Sequence, residues 1–193
     1  PNGTTALNVD ASAVTLAGGI GLWANDGANQ LTGSSQGDDI QGGGGNDTIT
    51  GGAGADSLMG GSGSDVFVYA DQAALAGDAT VIGGGGADVI RMNSGVNALS
   101  VTSANFTNVK EVEVLNLTGT GVQWVTLDTE TNSAFASGIE IQTNATAASL
   151  NLQGTASSVS VKATGTNNDD TMVGGGASDT LVGGMGNDVI TGG

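Results

Sequence analysis

The sequence predicts an all-β fold wound as a solenoid of short stacked strands. Three features of the chain carry this. A nine-residue unit recurs in fixed phase, each copy joining a glycine-rich half to a short apolar half. Between the repeats, brief alternating apolar runs continue at similar spacing, as half-buried strands do. Large side chains are scarce: among 193 residues there are 36 Gly but only two Trp, one Tyr and three Phe. A thick globular core is hard to build from that supply, whereas a thin stack of small aliphatics is easy.

Taken in order, the N-terminal stretch 1–23 reads as plain coils, with Val14-Thr15-Leu16 and Ile20-Gly21-Leu22 as strand runs. The first array, 24–68, holds five units in register: ANDGANQLT from Ala24, GSSQGDDIQ from Gly33, GGGGNDTIT from Gly42, GGAGADSLM from Gly51 and GGSGSDVFV from Gly60. A connecting segment, 69–91, carries the best helix signal, one or two turns over Ala70 to Gly77, and a lone unit, GGGGADVIR, from Gly83. Residues 92–164 return to plain coils. Alternating runs fall at Val112-Glu113-Val114, Leu115-Asn116-Leu117, Val125-Thr126-Leu127, Ile139-Glu140-Ile141, Leu150-Asn151-Leu152 and Val159-Ser160-Val161. A second array, 165–193, reads GTNNDDTMV, GGGASDTLV and GGMGNDVIT, and is cut in mid-repeat at Gly192 and Gly193. All five stretches read as one continuous solenoid, and the cut repeat predicts a segment of a longer protein.

Each place of the unit G-G-x-G-x-D-x-U-x has a physical reason. Six residues make a turn that needs positive φ and close backbone approach, so glycine recurs. Three residues then make a strand whose middle member points inward. Ile40, Ile49, Leu58, Phe67, Ile90, Met172, Leu181 and Ile190 should therefore stack in line. Two units make one coil, so units two apart lie over one another and their place-six Asp side chains converge with the turn carbonyls. Stacked carboxylates repel. Hard oxygens at that spacing suit Ca²⁺, which takes 6–8 oxygen ligands at about 2.3–2.6 Å.

These units resemble the RTX family of calcium-binding nonapeptide repeats. The resemblance implies a right-handed parallel β-roll, with several Ca²⁺ ions held in the turns by place-six Asp and by carbonyls of places one to four. Carried over by position, one site pairs Asp38 with Asp56. Another pairs Asp47 with Asp65 near the carbonyls of Gly42, Gly44, Gly61 and Gly63. A third pairs Asp170 with Asp188, near Gly183 and Gly186, and Gly51 and Gly54 belong to the turn of Asp56. Asn29 with Asp47 would be a fourth site lacking one charge. Asp88 and Asp179 also occupy place six but are expected to be incomplete. Asp88 follows a stretch without repeats, and the partner of Asp179 would begin at Gly192. Asp39 and Asp169, outside place six, read as solvated turn residues.

Composition excludes much else. Nineteen acidic against three basic residues give a net charge of −16, a poor match for nucleic acid or an anionic membrane surface. No apolar stretch approaches the roughly 20 residues of a membrane span. Without Cys or His there is no disulfide, thiolate site or His-based triad. No nucleophile elbow or phosphate-binding loop occurs. Glu111 and Glu113 read as a solvent-facing strand edge ahead of a glycosidase pair, Lys110 and Lys162 as charge-balancing, and Trp23 and Trp124 as covers of exposed coils ahead of sugar-stacking platforms. The expectation is therefore no enzyme.

The plain coils, with F-x-N-V-K-E-V-E-V-L-N-L after the lone unit, resemble RTX-type surface-layer proteins of Gram-negative bacteria. That resemblance implies a secreted, calcium-dependent structural protein at the cell surface, one segment of a self-assembling layer or filament. The expected partner is the chain itself, head to tail or in a lattice, with cell-surface polysaccharide as a second candidate. A spacer module of a large RTX adhesin and the non-catalytic RTX domain of a secreted protease or lipase remain as alternatives. The family is exported by type I secretion through a C-terminal signal. No such tail follows Gly193, which again predicts a segment.

Overall fold

A computed structural model describes residues 3–128, 131–154 and 157–193. Nineteen short strands lie among these residues, and every pairing between them is parallel. The chain is a right-handed parallel β-roll. One nine-stranded sheet runs its length: Asn8–Asp10, Gln30–Thr32, Thr48–Thr50, Val66–Tyr69, Val89–Met92, Val114–Leu117, Ile139–Thr143, Val161–Thr164 and Thr180–Val182. The opposite wall is split. In the N-terminal half it is a five-stranded sheet of Gly21–Trp23, Asp39–Gly44, Ser57–Ser62, Thr80–Gly85 and Val109–Lys110. In the C-terminal half a second five-stranded sheet takes over: Leu99–Thr102, Val122–Thr126, Ser149–Gln153, Thr171–Val173 and Val189–Thr191.

Register follows directly from unit length. Leu31 pairs with Ile49, Ile49 with Phe67, and Ile40 with Leu58, so two units make one coil. The coils then widen, with Phe67 on Ile90, Ile90 on Leu115 and Leu115 on Ile141. The additional residues of the wide coils hold the helix Gln72–Gly77, the 3₁₀ turn Ser103–Phe106 and the single turn Thr131–Ala134, which stack in sequence order as a short third wall. The helix at 72–77 forms as its alanine run predicts. The Asp71 side chain caps it by accepting from the N–H groups of Ala73 and Ala74.

The core is one continuous column. Ile40, Ile49, Leu58, Phe67, Ile90 and Met172 are fully buried along it. In the wide coils the column thickens, and Leu75, Phe106 and Phe135 fill it. The two Phe rings meet edge to face with centroids 5.0 Å apart. Aromatics are thus few but concentrated where the cross-section is largest.

Some strand assignments differ from the sequence reading. Val14-Thr15-Leu16 forms no strand; the Val14 N–H closes a turn on Ala11 O, and Leu16 is exposed. The run at Val159 becomes a strand only from Val161, and Val112-Glu113 precedes the strand that starts at Val114. Ile190 stacks on Met172 in register yet stays exposed, as do Val182 and Val189, because no coil lies above them among the described residues. Trp23 and Trp124 both face outward.

Replacing Phe106 by Ala should remove about 3–5 kcal/mol of stability, since the rigid walls cannot collapse onto the cavity. Urea unfolding at saturating Ca²⁺ measures this, with the outward-facing Trp124→Ala as a control expected to cost far less.

Candidate metal centre

Parallel stacking turns the place-six residues into ladders. In the first, which leads into the long sheet, the Asp47 carboxylate accepts the Asn29 N–H at 2.7 Å, Asp65 accepts the Asp47 N–H at 2.8 Å, and Asp88 accepts the Asp65 N–H at 2.8 Å. Asp88 is therefore not isolated: the stretch between the units adds one coil and carries it over Asp65. In the second ladder, leading into the N-terminal opposite wall, Asp38 accepts from Ile20, Asp56 from Asp38, and Asp78 from Asp56. In the C-terminal half Asp170 accepts from Leu150, Asp188 from Asp170, and Asp179 from Val161.

The second carboxylate oxygen separates two kinds of turn. At Asp38 it accepts the Ser34 N–H at 2.6 Å, at Asp170 the Thr166 N–H at 2.6 Å, and at Asp179 the Gly175 N–H at 2.7 Å. The hydroxyls of Ser34 and Thr166 add a further bond each. These turns are closed by their own backbone. In the turns of Asp47, Asp65 and Asp88, place two is Gly43, Gly61 or Gly84, at φ of 101°, 112° and 110°. That left-handed backbone is open to glycine and turns the place-two N–H away from the carboxylate. The outcome is that Oδ2 of Asp47, of Asp65 and of Asp88 is buried with no hydrogen-bond partner.

Three buried, unpartnered carboxylate oxygens in one column need a counter-charge. No ion pair among the described residues supplies one: Lys162 to Glu140, at 3.0 Å, lies elsewhere on the surface. Burial pushes Asp47, Asp56 and Asp88 above the usual carboxylate range, and pushes Asp65 and Asp78 up to about 6, with neighbouring carboxylates adding to the effect at Asp56, Asp65, Asp78 and Asp88. Backbone oxygens face the same space. A Cβ placed on Gly42 would strike both Asp47 Oδ2 and the Gly60 carbonyl, and one on Gly60 would strike Asp65 Oδ2 and lie 2.7 Å from the Gly83 carbonyl. Among the described residues no three acidic side chains converge, so any cation here draws on carbonyls as well. A hard divalent cation fits this donor set: one carboxylate per coil, carbonyls between, and no nitrogen or sulfur.

The Asn29 side chain is fully hydrogen-bonded. Its side-chain oxygen accepts the Leu7 N–H, while its amide nitrogen donates to Asn25 O and Gly42 O, so an amide fills the base of the first ladder. A Cβ on Gly174 would strike both Asp179 Oδ2 and the Gly192 carbonyl, while Asp188 has no coil above it among the described residues. Asp39 and Asp169 are exposed, as expected.

Three residues escaped the sequence reading. Asp78 lies three places before its buried strand residue Val81, where repeats have two; the Ala79 and Thr80 N–H groups both bond Asp56 O, a one-residue bulge that hides the phase. Tyr69 seals that ladder by donating its hydroxyl to Asp78 Oδ2 at 2.6 Å, and burial with this contact raises the phenol well above its ordinary value. Glu113 was expected as a free edge. It is half-buried and accepts the Asp88 N–H at 2.8 Å, because the chain at 111–113 turns before re-entering the long sheet. Its place two residues before the buried Leu115 is the phase of place six, a signal that was present in the sequence.

The metal-free chain should be more stable at pH 5 than at pH 7. Asp65 and Asp78 titrate near 6 when folded but near 3.9 when unfolded. The folded state therefore binds more protons between about pH 4 and 6, and stability is lost as pH rises through that window. The strand signal of calcium-depleted protein in circular dichroism checks it and should be larger at pH 5 than at pH 7; an equal or larger signal at pH 7 contradicts it. Saturating Ca²⁺ should abolish the trend.

The description of the RTX calcium-binding nonapeptide repeat, in four-copy form, matches residues 32–67, 74–99 and 164–193. No curated protein and no solved structure matched the chain. The middle match begins inside the helix, at residue 74, and covers both Asp78 and Asp88 of the two ladders. These segments are RTX calcium-binding nonapeptide repeats, and such repeats bind several Ca²⁺ ions per array.

Proposed function

We propose that this chain is a calcium-ordered structural segment of an extracellular assembly, a bacterial surface layer or filament. The observation that carries the reading is the column of unpartnered Asp47, Asp65 and Asp88 oxygens inside the roll. Such a column is unstable without a cation and rigid with one, which makes the metal part of the fold. In this reading Asp47, Asp65 and Asp88 hold the ions of the first ladder with the carbonyls of Gly60 and Gly83. Asp56 and Asp188, in turns where both glycines at places two and four have positive φ, hold others. Ca²⁺ supplies charge neutralisation and links one coil to the next.

A parallel β-roll grows by adding strands to its edges, and contact between unlike ends of two copies propagates instead of closing. Export fits the same chemistry. Sites of extracellular modules bind in the range of about 10⁻⁴–10⁻³ M, so the arrays would stay unfolded at low calcium and fold outside the cell. No helix among the described residues is long and apolar enough to cross a membrane.

Circular dichroism with millimolar Ca²⁺ and with EGTA should show strand signal gained on calcium addition. Light scattering after size exclusion should show species larger than 18.5 kDa with Ca²⁺, returning to monomer with EGTA. Identical spectra in both conditions overturn the calcium-ordering reading. A calcium-folded monomer favours the spacer-module alternative over self-assembly.

A further inference from the structure

The first ladder does not stop at the last nonapeptide unit. At Gly83 the pattern of the lower turns repeats: a Cβ there would lie 2.5 Å from Asp88 Oδ2 and strike a carbonyl of the next coil. In the lower turns that carbonyl belongs to a place-one glycine, and here it belongs to Glu111. Glu111 is the one described non-glycine residue at positive φ, 55°, a conformation that side-chain-bearing residues seldom adopt. Two residues on, Glu113 Oε2 accepts the Asp88 N–H at 2.8 Å, as Asp88 itself accepts from Asp65. Between them Asp88 Oδ2 is buried and unpartnered. A pocket of about 330 Å³ opens beside this point, bounded by Gly84, Lys110, Glu111, Glu113 and Ser137. Lys110 forms no ion pair with either glutamate.

We propose that Asp88, the Glu111 carbonyl and Glu113 form a calcium site of their own, outside the nonapeptide consensus, at the junction of the first array with the plain coils. The proposal rests on the reading that the ladder holds Ca²⁺. Two carboxylates and a carbonyl supply hard oxygen donors from the protein, and the open pocket admits water to complete a shell of 6–8. The site would tie a coil that carries repeats to one that does not, which is where an array otherwise loses its metal links.

A purely structural role for Glu113, as acceptor for the Asp88 N–H, makes a different prediction from ligation. Glu113→Gln keeps that acceptor and removes the charge. Calcium binding to the full chain, followed by equilibrium dialysis, should give one ion fewer per chain for Glu113→Gln, or one ion held at least about tenfold more weakly. Glu140→Gln, at the ion pair with Lys162 away from this ladder, should match the wild type in calcium binding. Unchanged stoichiometry and affinity in Glu113→Gln overturn the site while leaving the ladder reading intact; absence of calcium binding by the wild type overturns the ladder reading itself. If Glu113→Gln fails to reach the wild-type circular dichroism in Ca²⁺, Glu113→Asp decides. This variant keeps the charge on a shorter arm and should bind the ion more weakly than wild type, and equal affinity overturns the proposal.

Discussion

Carboxylates stacked one per coil repel each other, and the structure is organised around that repulsion. Parallel strands put equivalent residues about 4.8 Å apart. Each place-six Asp offers one oxygen to the N–H of the residue one coil away, an interaction that holds the ladder in register. The other oxygen is left to the turn. Whether that oxygen finds a backbone N–H or stays unpartnered separates turns that close themselves from turns suited to a cation.

The backbone of residue two makes that choice. Ser34, Thr166 and Gly175 all stay outside the left-handed region and bring their N–H to Asp38, Asp170 and Asp179, and the hydroxyls of Ser34 and Thr166 add to this. Gly43, Gly61 and Gly84 accept the left-handed backbone, and their Asp partners keep a bare oxygen. In each array the first unit with Asp at place six has a self-closed turn, at Asp38 and at Asp170.

The wide coils solve a separate problem. Eighteen-residue coils have room only for one inward aliphatic per strand, and such a column is thin. Insertion of helical turns at 72–77, 103–106 and 131–134 adds a third wall, and Leu75, Phe106 and Phe135 thicken the core behind it. At that point the opposite wall changes over, from the sheet ending at Val109–Lys110 to the one beginning at Leu99–Thr102. The long sheet passes through unbroken, so the roll stays continuous while its cross-section changes.

The nonapeptide phase by itself determined the repeat turns, the inward residues from Ile40 to Met172 and the pairing of units two apart, because glycine, Asp and an aliphatic residue at fixed spacing answer to local turn and strand geometry. The short helix at 72–77 was legible for the same reason. Where coil length departs from eighteen, local signals lose their phase. The stacking of Asp88 on Asp65, the bulge at Ala79 that brings Asp78 into the second ladder, and the left-handed turn at Glu111 were decided by tertiary structure alone. So was the difference between Asp38 and Asp47, which share a consensus place but not a set of partners. Those outcomes depend on what lies one coil above or below, and a sequence read along its length does not contain that neighbour until the length of the intervening coil is known.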